Sequence, residues 1–146
     1  MIEEHYKYLA FNNNTRFLFE SVGVKGKVLK MIVFRRVEGN LWNLGFGDLK
    51  RGQLDDTSIT NNNDVVRVLG TVAKVVFDFV EAYPKRIIRI KPVDEKRKRL
   101  YNSVFRRRYA EISNDFFVTG LYENEREAYS PEKFYDSFEI TRKFEP

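Results

Sequence analysis

The sequence contains no cysteine, a single histidine and no apolar run long enough to cross a bilayer. The absence of cysteine excludes disulfides, thiol nucleophiles and thiolate zinc sites, and it is typical of a reducing cytoplasm. Because the histidine, His5, lies near the start of the sequence, neither a catalytic triad nor a histidine-rich metal site is expected. A spanning helix needs about 20 apolar residues, and the acidic start is unlike a signal peptide. We therefore predict a cytoplasmic protein with no membrane association and no cofactor.

The length of 146 residues is that of one domain, and it is sufficient to bury a core without disulfides. No internal repeat, low-complexity tract or linker divides the sequence. We therefore predict a single domain that covers residues 1–146.

A valine-rich stretch between Asn63 and Pro84 is predicted to be the central helix. Its polar or small positions recur at alternating three- and four-residue steps, which only a helix gathers into one stripe. These positions are Asp64, Arg67, Thr71, Lys74, Asp78 and Glu81. Asn63 is the predicted cap and Pro84 the stop. Because every position off the stripe is apolar, the helix should be covered on most of its circumference.

Alternating apolar residues and turn signals predict strands on both sides of this helix. Four precede it as an antiparallel meander, at residues 6–11, 15–21, 27–37 and 41–48, and a polar loop follows at 49–62. Three strands come after it, at 86–91, 116–122 and 134–144, the last with one solvated face. A second helix runs from Asp94 to about Ile112. The prediction is an α+β fold: a strongly twisted antiparallel sheet wrapped around a central buried helix, with the second, basic helix at the surface.

Positive charge is concentrated in that second helix, although the formal net charge of the whole chain is only +5. A groove of cations favours nucleic acid because each neutralised phosphate releases counterions. The candidate contacts are Lys96, Arg97, Lys98, Arg99, Arg106, Arg107 and Arg108. Tyr101 and Trp42 are the aromatic candidates for stacking on unpaired bases. The alternative is a solvated helix whose charge is neutralised by the acidic residues that follow it.

Two groups of carboxylates bear on metal chemistry. The first offers oxygen ligands but does not match the spacing of a calcium loop, so a solvated loop and a helix cap are the favoured explanation. It consists of Asp48, Asp55, Asp56 and Asp64. The second is Asp94 with Lys96 after a strand, which is similar to the arrangement in Mg²⁺-dependent nucleases, with Asp48 as the second acid. The favoured interpretation is that Asp94 caps the second helix.

Three stretches give the sequence a resemblance to a known family. They are Trp42-x-x-x-Phe46-Gly47-Asp48, Thr60-Asn61-Asn62-Asn63-Asp64-x-x-x-Val68-Leu69-x-Thr71-Val72 and Arg97-x-x-Leu100-Tyr101. Together they resemble a family of small uncharacterised proteins of bacteria, mainly Bacteroidetes, and of phages. The resemblance covers most of the chain and implies one compact domain, but it brings no catalytic residue with it.

The leading hypothesis is a non-enzymatic protein that binds nucleic acid or acts as a regulatory accessory, with single-stranded nucleic acid or a protein as its partner. The second hypothesis is a protein-interaction module of a toxin–antitoxin-like pair, which binds through the basic helix or an exposed strand edge. The third is a Mg²⁺-dependent nuclease that uses Asp48, Asp94 and Lys96. The sequence leaves a homo-oligomer open.

Overall fold

The structure is a computed structural model, and it describes residues 4–55 and 61–143. These residues form two helices and nine strands, so the fold is α+β, as predicted. The helices are α1 (Val65–Ala82) and α2 (Glu95–Asp115). The strands are β1 (Tyr8–Phe11), β2 (Arg16–Gly23), β3 (Gly26–Glu38), β4 (Leu41–Lys50), β5 (Gln53–Asp55), β6 (Ile87–Ile90), β7 (Phe116–Tyr122), β8 (Glu125–Ala128) and β9 (Ser137–Arg142).

The strands form one mixed, mostly antiparallel sheet in the order β1-β2-β3-β4-β6-β9-β7-β8, with β5 paired to β4 off this path. β4 and β6 are parallel. Parallel neighbours cannot be joined by a tight turn, and the connection between these two contains α1. Neither helix in the described part of the chain has the length and apolarity needed to cross a membrane.

The contacts divide the chain into two compact units. The α1 unit contains the described residues of Ile2–Arg35 and Leu44–Ala82, and the α2 unit contains those of Arg36–Asn43 and Tyr83–Pro146. Strands β3 and β4 contribute residues to both units. The single domain expected from the length stays a prediction.

In the α1 unit, the helix packs one face into the core. The buried residues of α1 are Val68, Gly70, Thr71, Val75, Val76, Phe79 and Val80. Phe79 stacks on Phe34 of β3 with ring centroids 3.9 Å apart, and burying such a ring contributes about 1.5–3 kcal/mol. The predicted polar stripe is exposed or half-buried, with the exception of Thr71. The expected cover is absent at the first turn, where Val65 and Val66 are exposed.

The start of α1 differs from the prediction in one residue. Asn63 has a left-handed backbone with φ of 59°, whereas a capping residue has an extended one. The carbonyl of Asp64 accepts the N–H of Val68 at 3.0 Å, so Asp64 and not Asn63 precedes the first helical turn. At the other end the helix stops at Ala82, two residues before Pro84, as the proline predicted.

In the α2 unit, β9 is a central strand. It lies between β6 and β7, and four of its residues in succession are buried. The expectation of one solvated face is wrong because both sides are occupied: Phe138 stacks on Phe105 of α2 with centroids 4.1 Å apart, and Glu139 accepts a hydrogen bond from Arg126 of β8 at 2.9 Å. Phe144, the predicted last residue of this strand, lies outside the described residues.

Two short strands were not predicted. β5 lies in the stretch expected to be a loop, and β8 lies in a charged connection. Both form by pairing with a neighbouring strand, β5 with β4 and β8 with β7. Neither carries a run of alternating apolar residues that would have predicted it. The rest of the expected loop includes residues 56–60, which the structure does not describe.

Candidate nucleic-acid interface

The ends of α2 are determined by its own sequence. Asp94 is the N-cap: its backbone is extended and its carboxylate accepts the N–H of Arg97 at 2.8 Å. A carboxylate here satisfies a free N–H and interacts favourably with the positive end of the helix dipole. The N–H of Phe116 donates to the carbonyl of Ile112 where the helix passes into β7. The interpretation of Asp94 as a cap is confirmed, and α2 extends beyond Ile112 to Asp115.

The inner face of α2 is fixed by specific contacts. Asn102 is buried, its amide donates to the carbonyl of Tyr135 at 2.9 Å, and its oxygen accepts the N–H of Tyr135 at 2.8 Å. Phe105, one turn later, stacks on Phe138. A Cβ at Gly120 would lie 2.3 Å from the ring of Tyr135, so this ring needs a glycine beneath it. These contacts determine which side of α2 faces outward.

Four cations on the outward side of α2 are exposed, and we name this surface the basic face. Its members are Lys96, Arg99, Arg106 and Arg107. None of them forms an ion pair with an acid in the part of the chain that the structure describes. Their spacing places them in one stripe, and at 1.5 Å per residue the stripe is about 16 Å long. The helix therefore presents a short row of four cations without an ion pair among the described residues, and the exposed Glu95 lies beside this row.

The other three predicted cations form ion pairs with acids of the same chain. The pairs are Arg97 with Asp94 at 2.6 Å, Lys98 with Asp136 at 2.6 Å, and Arg108 with Glu111 at 3.2 Å. Pairing of the helix with the acidic C-terminal residues was the alternative to an open cluster, and it occurs at Lys98. The predicted cluster of seven is thus divided into an outward row of four and three residues that stabilise α2 or its neighbours.

The predicted aromatic contacts do not extend the basic face. The guanidinium carbon of Arg86 lies 4.0 Å from the ring centroid of Trp42 and 3.6 Å from that of Tyr83, and Trp42 is half-buried. Tyr101 is half-buried and makes contacts within the molecule. Base stacking by Trp42 and Tyr101 stays a prediction.

The acids of the nuclease hypothesis have structural partners. Asp48 is 2% exposed and its carboxylate lies 2.6 Å from the ammonium of Lys30, so the prediction of a solvated loop is wrong for it. Asp94 is occupied as the cap of α2. Asp56 lies outside the described residues, and within them no group of three histidine, aspartate or glutamate side chains is placed to hold a metal ion. The nuclease stays a prediction without a described site.

A family model matches residues 2–143 of the chain, which is nearly its whole length. The chain belongs to DUF6934, a family of unknown function. The resemblance to a small uncharacterised family is confirmed, while its occurrence in bacteria and phages stays an expectation. Comparison with curated proteins and with solved structures finds no match. Membership of DUF6934 therefore assigns no activity to the basic face.

In this DUF6934 chain, the asparagine-rich stretch before α1 closes the turn between β2 and β3. Asn62 is 1% exposed; its oxygen accepts the N–H of Lys25 at 2.6 Å, and its amide donates to the carbonyl of Gly26 at 2.7 Å and the hydroxyl of Ser21 at 3.2 Å. A Cβ at Gly23 would lie 1.9 Å from the carbonyl oxygen of Asn62. We name these contacts the Asn62 network. It was not predicted, because asparagines in a polar stretch usually indicate a solvated turn.

Asp64 extends the Asn62 network to the segment before β1. Its carboxylate accepts hydrogen bonds from the hydroxyls of Tyr6 and Ser21, both at 2.5 Å. Burial first, and then the bond to Asp64, raises the pKa of Tyr6, so this phenol stays a donor at neutral pH. The hydroxyl of Thr71 accepts the N–H of Tyr6 at 2.8 Å. Asp64 and Thr71 therefore hold the segment before β1 against α1. The polar stripe had suggested instead that both side chains face solvent.

The edge strand β1 bears on the hypothesis of a protein-interaction module. It is the first strand of the sheet order and pairs with β2 alone among the described strands. Leu9 on β1 is 69% exposed, and Phe11 is exposed as well. An exposed edge is a template for pairing with another chain, but nothing in the structure shows what covers it. The interaction module stays a prediction.

The Lys98–Asp136 pair predicts a pH dependence of stability. Hydrogen bonds from Lys98 and then from the backbone N–H of Glu123 lower the pKa of Asp136 below its ordinary value of 3.8. The ionised carboxylate is thus favoured in the folded state, so its contribution is complete above the unfolded pKa and is lost as the pH falls through the folded pKa. We expect Asp136→Asn to be less stable than the wild type by under about 1 kcal/mol at neutral pH, since the pair is partly exposed.

Urea unfolding measured from neutral pH down through 3.8 tests this expectation. The difference between the wild type and Asp136→Asn should shrink as the pH falls. The exposed acid Glu132, changed to glutamine, is the control and should show no such difference. A difference that is constant over the whole pH range would contradict the assignment to the ionised carboxylate.

Proposed function

We propose that this protein binds nucleic acid through the basic face of α2. The observation that supports the proposal is the outward row of Lys96, Arg99, Arg106 and Arg107, which forms no ion pair with a described acid while the other cations of the helix are paired. Phosphate groups are the natural ligands of such a row, because each one neutralised by a cation releases its condensed counterions. A regulatory accessory role is compatible with this binding and needs no catalytic residue.

The placement of the row favours a binding site over exposed charge that only contributes to solubility. Its four charges lie on a single helix, whereas the formal net charge of the whole chain is only +5. They are also carried on a helix whose inner face is fixed by Asn102 and Phe105. A preorganised set of cations loses less freedom on binding than cations on a mobile loop.

The test is a comparison of two variants that each lose four positive charges. In the first, Lys96, Arg99, Arg106 and Arg107 are changed to glutamine. In the second, the same change is made at four exposed cations of the α1 unit: Lys7, Lys25, Lys27 and Arg35. Binding of fluorescein-labelled nucleic acid at low salt is measured by anisotropy, and folding of both variants is checked by circular dichroism.

We expect the basic-face variant to bind at least about tenfold more weakly than the wild type, because its phosphate contacts are gone. The control variant should change affinity much less, since it has the same net charge but keeps the row. Equal losses in the two variants would show that net charge alone is responsible and would overturn the proposal. So would a wild-type protein that binds no nucleic acid at low salt.

A further inference from the structure

We infer that the ligand of the basic face is the phosphate backbone of a double-stranded nucleic acid, contacted without base stacking. This inference rests on the proposed function and specifies its ligand. The exposed residues of α2 include no aromatic ring; besides the four cations they are Glu95, Leu100, Ala110 and Asn114. The face can therefore attract phosphates, but it offers no surface on which an unpaired base stacks.

The aromatic residues of α2 are directed into the α2 unit. Phe105 stacks on Phe138, and Tyr109 packs on Tyr129 with ring centroids 4.9 Å apart. Tyr101 is half-buried. Proteins that bind single strands combine a basic groove with rings that stack successive bases. The second of these two requirements is not met on the outward side of α2.

Four exposed rings of the α2 unit lie outside α2, and two of them, Phe134 and Tyr122, have unfavourable surroundings for a nucleic acid; the other two are Tyr83 and Phe117. Phe134 is 44% exposed but lies 5.4 Å from the ammonium of Lys98, whose charge is already balanced by Asp136. Tyr122 is 51% exposed and is followed by the exposed Glu123 and a further acid at 125. Carboxylates repel a phosphate backbone, so these rings are poor sites for stacking a base.

The geometry of the row also favours a duplex. Lys96 and Arg99 occupy one turn, and Arg106 and Arg107 follow Arg99 by about 10 Å along the helix axis. A duplex presents one charge per about 1.7 Å of its axis, twice the density of one strand, and it is stiff over the length of the row. A single strand must be ordered to follow the same row, which costs conformational entropy.

The experiment compares a labelled duplex with each of its two separated strands at equal length. Duplexes of DNA and of RNA are both used, each in two unrelated sequences, and anisotropy is measured over a series of salt concentrations. We expect the duplex to bind about tenfold or more tightly than either strand, with no difference between sequences. Four phosphate contacts predict that log K falls against log salt with a slope of about −3.6 on DNA, and Arg107→Gln should reduce this slope by about 1.

The control variant is Phe134→Ala, which removes an exposed ring beside the helix. Its affinity for the duplex and for the strands should match that of the wild type. Tighter binding of a single strand, or a loss of strand binding in Phe134→Ala, would overturn the inference while the proposed function would stand. A wild-type protein that binds none of these probes at low salt would remove both.

Discussion

Replacement of Lys30 by methionine is expected to lower the free energy of unfolding by about 3–5 kcal/mol. Lys30 lies on β3 and is 1% exposed, and its ammonium is 2.6 Å from the carboxylate of Asp48 on β4. Methionine fills most of the same space but carries no charge. The buried carboxylate of Asp48 would then lose the cation that offsets its desolvation, which costs far more than the loss of a surface pair.

Urea unfolding followed by circular dichroism measures this change. Lys27→Met is the matched control, because Lys27 lies on the same strand and is exposed; we expect it to change the stability by under about 0.5 kcal/mol. The double variant Lys30→Met with Asp48→Leu should recover most of the lost stability, since a buried pair can be replaced by apolar side chains at little cost. A double variant as unstable as Lys30→Met alone would show that the pair is not the cause.

A further variant, Asp48→Asn, separates a structural role of Asp48 from a catalytic one. A carboxylate that holds a metal ion for catalysis can be removed with loss of activity and little loss of stability. Asp48 is expected to behave in the opposite way, because its described partner is the ammonium of Lys30. Mg²⁺-dependent cleavage of nucleic acid by the wild type that disappears in Asp48→Asn, with stability unchanged, would restore the nuclease hypothesis.

The sequence pattern indicates which face of its strand Lys30 occupies, but it does not indicate that Lys30 forms a buried ion pair. Residues at every second position of a strand share a face, and Lys30 therefore lies on the same face as Ile32 and Phe34. That face packs on α1, through Phe34 and Phe79. The strand was predicted at residues 27–37 from its apolar pattern, but Asp48, the partner of Lys30, lies on another strand, and periodicity within one strand does not indicate cross-strand ion pairs.

The helices were predictable because their signals are local. Apolar spacing gave α1, and Asp94 gave the start of α2. The division of the basic cluster was not predictable in the same way. Lys98 is neutralised by Asp136, which lies 38 residues further along the chain. Whether a lysine in a charge run is free or paired depends on such distant neighbours, so the sequence predicted seven contacts where the structure leaves four on the outward side.

Replacement of Asn62 by alanine is expected to lower the free energy of unfolding by about 2–4 kcal/mol. The change removes the acceptor for the N–H of Lys25 and the donors to Gly26 and Ser21, at a site that is 1% exposed. Buried polar groups left without a partner each cost about 1–3 kcal/mol. Urea unfolding gives the total, and amide hydrogen exchange at Lys25 reports the lost bond directly.

The matched control is Asn61→Ala. Asn61 is exposed and its side chain makes one local hydrogen bond, to the N–H of Asn63 at 3.0 Å, so its removal should cost under about 1 kcal/mol. Gly23→Ala should resemble Asn62→Ala, because the new Cβ would meet the carbonyl oxygen of Asn62. If the two changes disrupt one network, the double variant should lose less than the sum of the single losses. Equal losses from Asn61→Ala and Asn62→Ala would contradict the network.

The Asn62 network also indicates where function should be sought in this DUF6934 chain. The stretch Asn61-Asn62-Asn63-Asp64 belongs to the pattern that carries the family resemblance, yet the side chains of Asn62 and Asp64 are engaged in holding strands and helix together. Under conditions where Asn62→Ala is still folded, its affinity for nucleic acid should therefore equal that of the wild type. Loss of binding in the folded variant would place the network, and not only the basic face of α2, within the functional site.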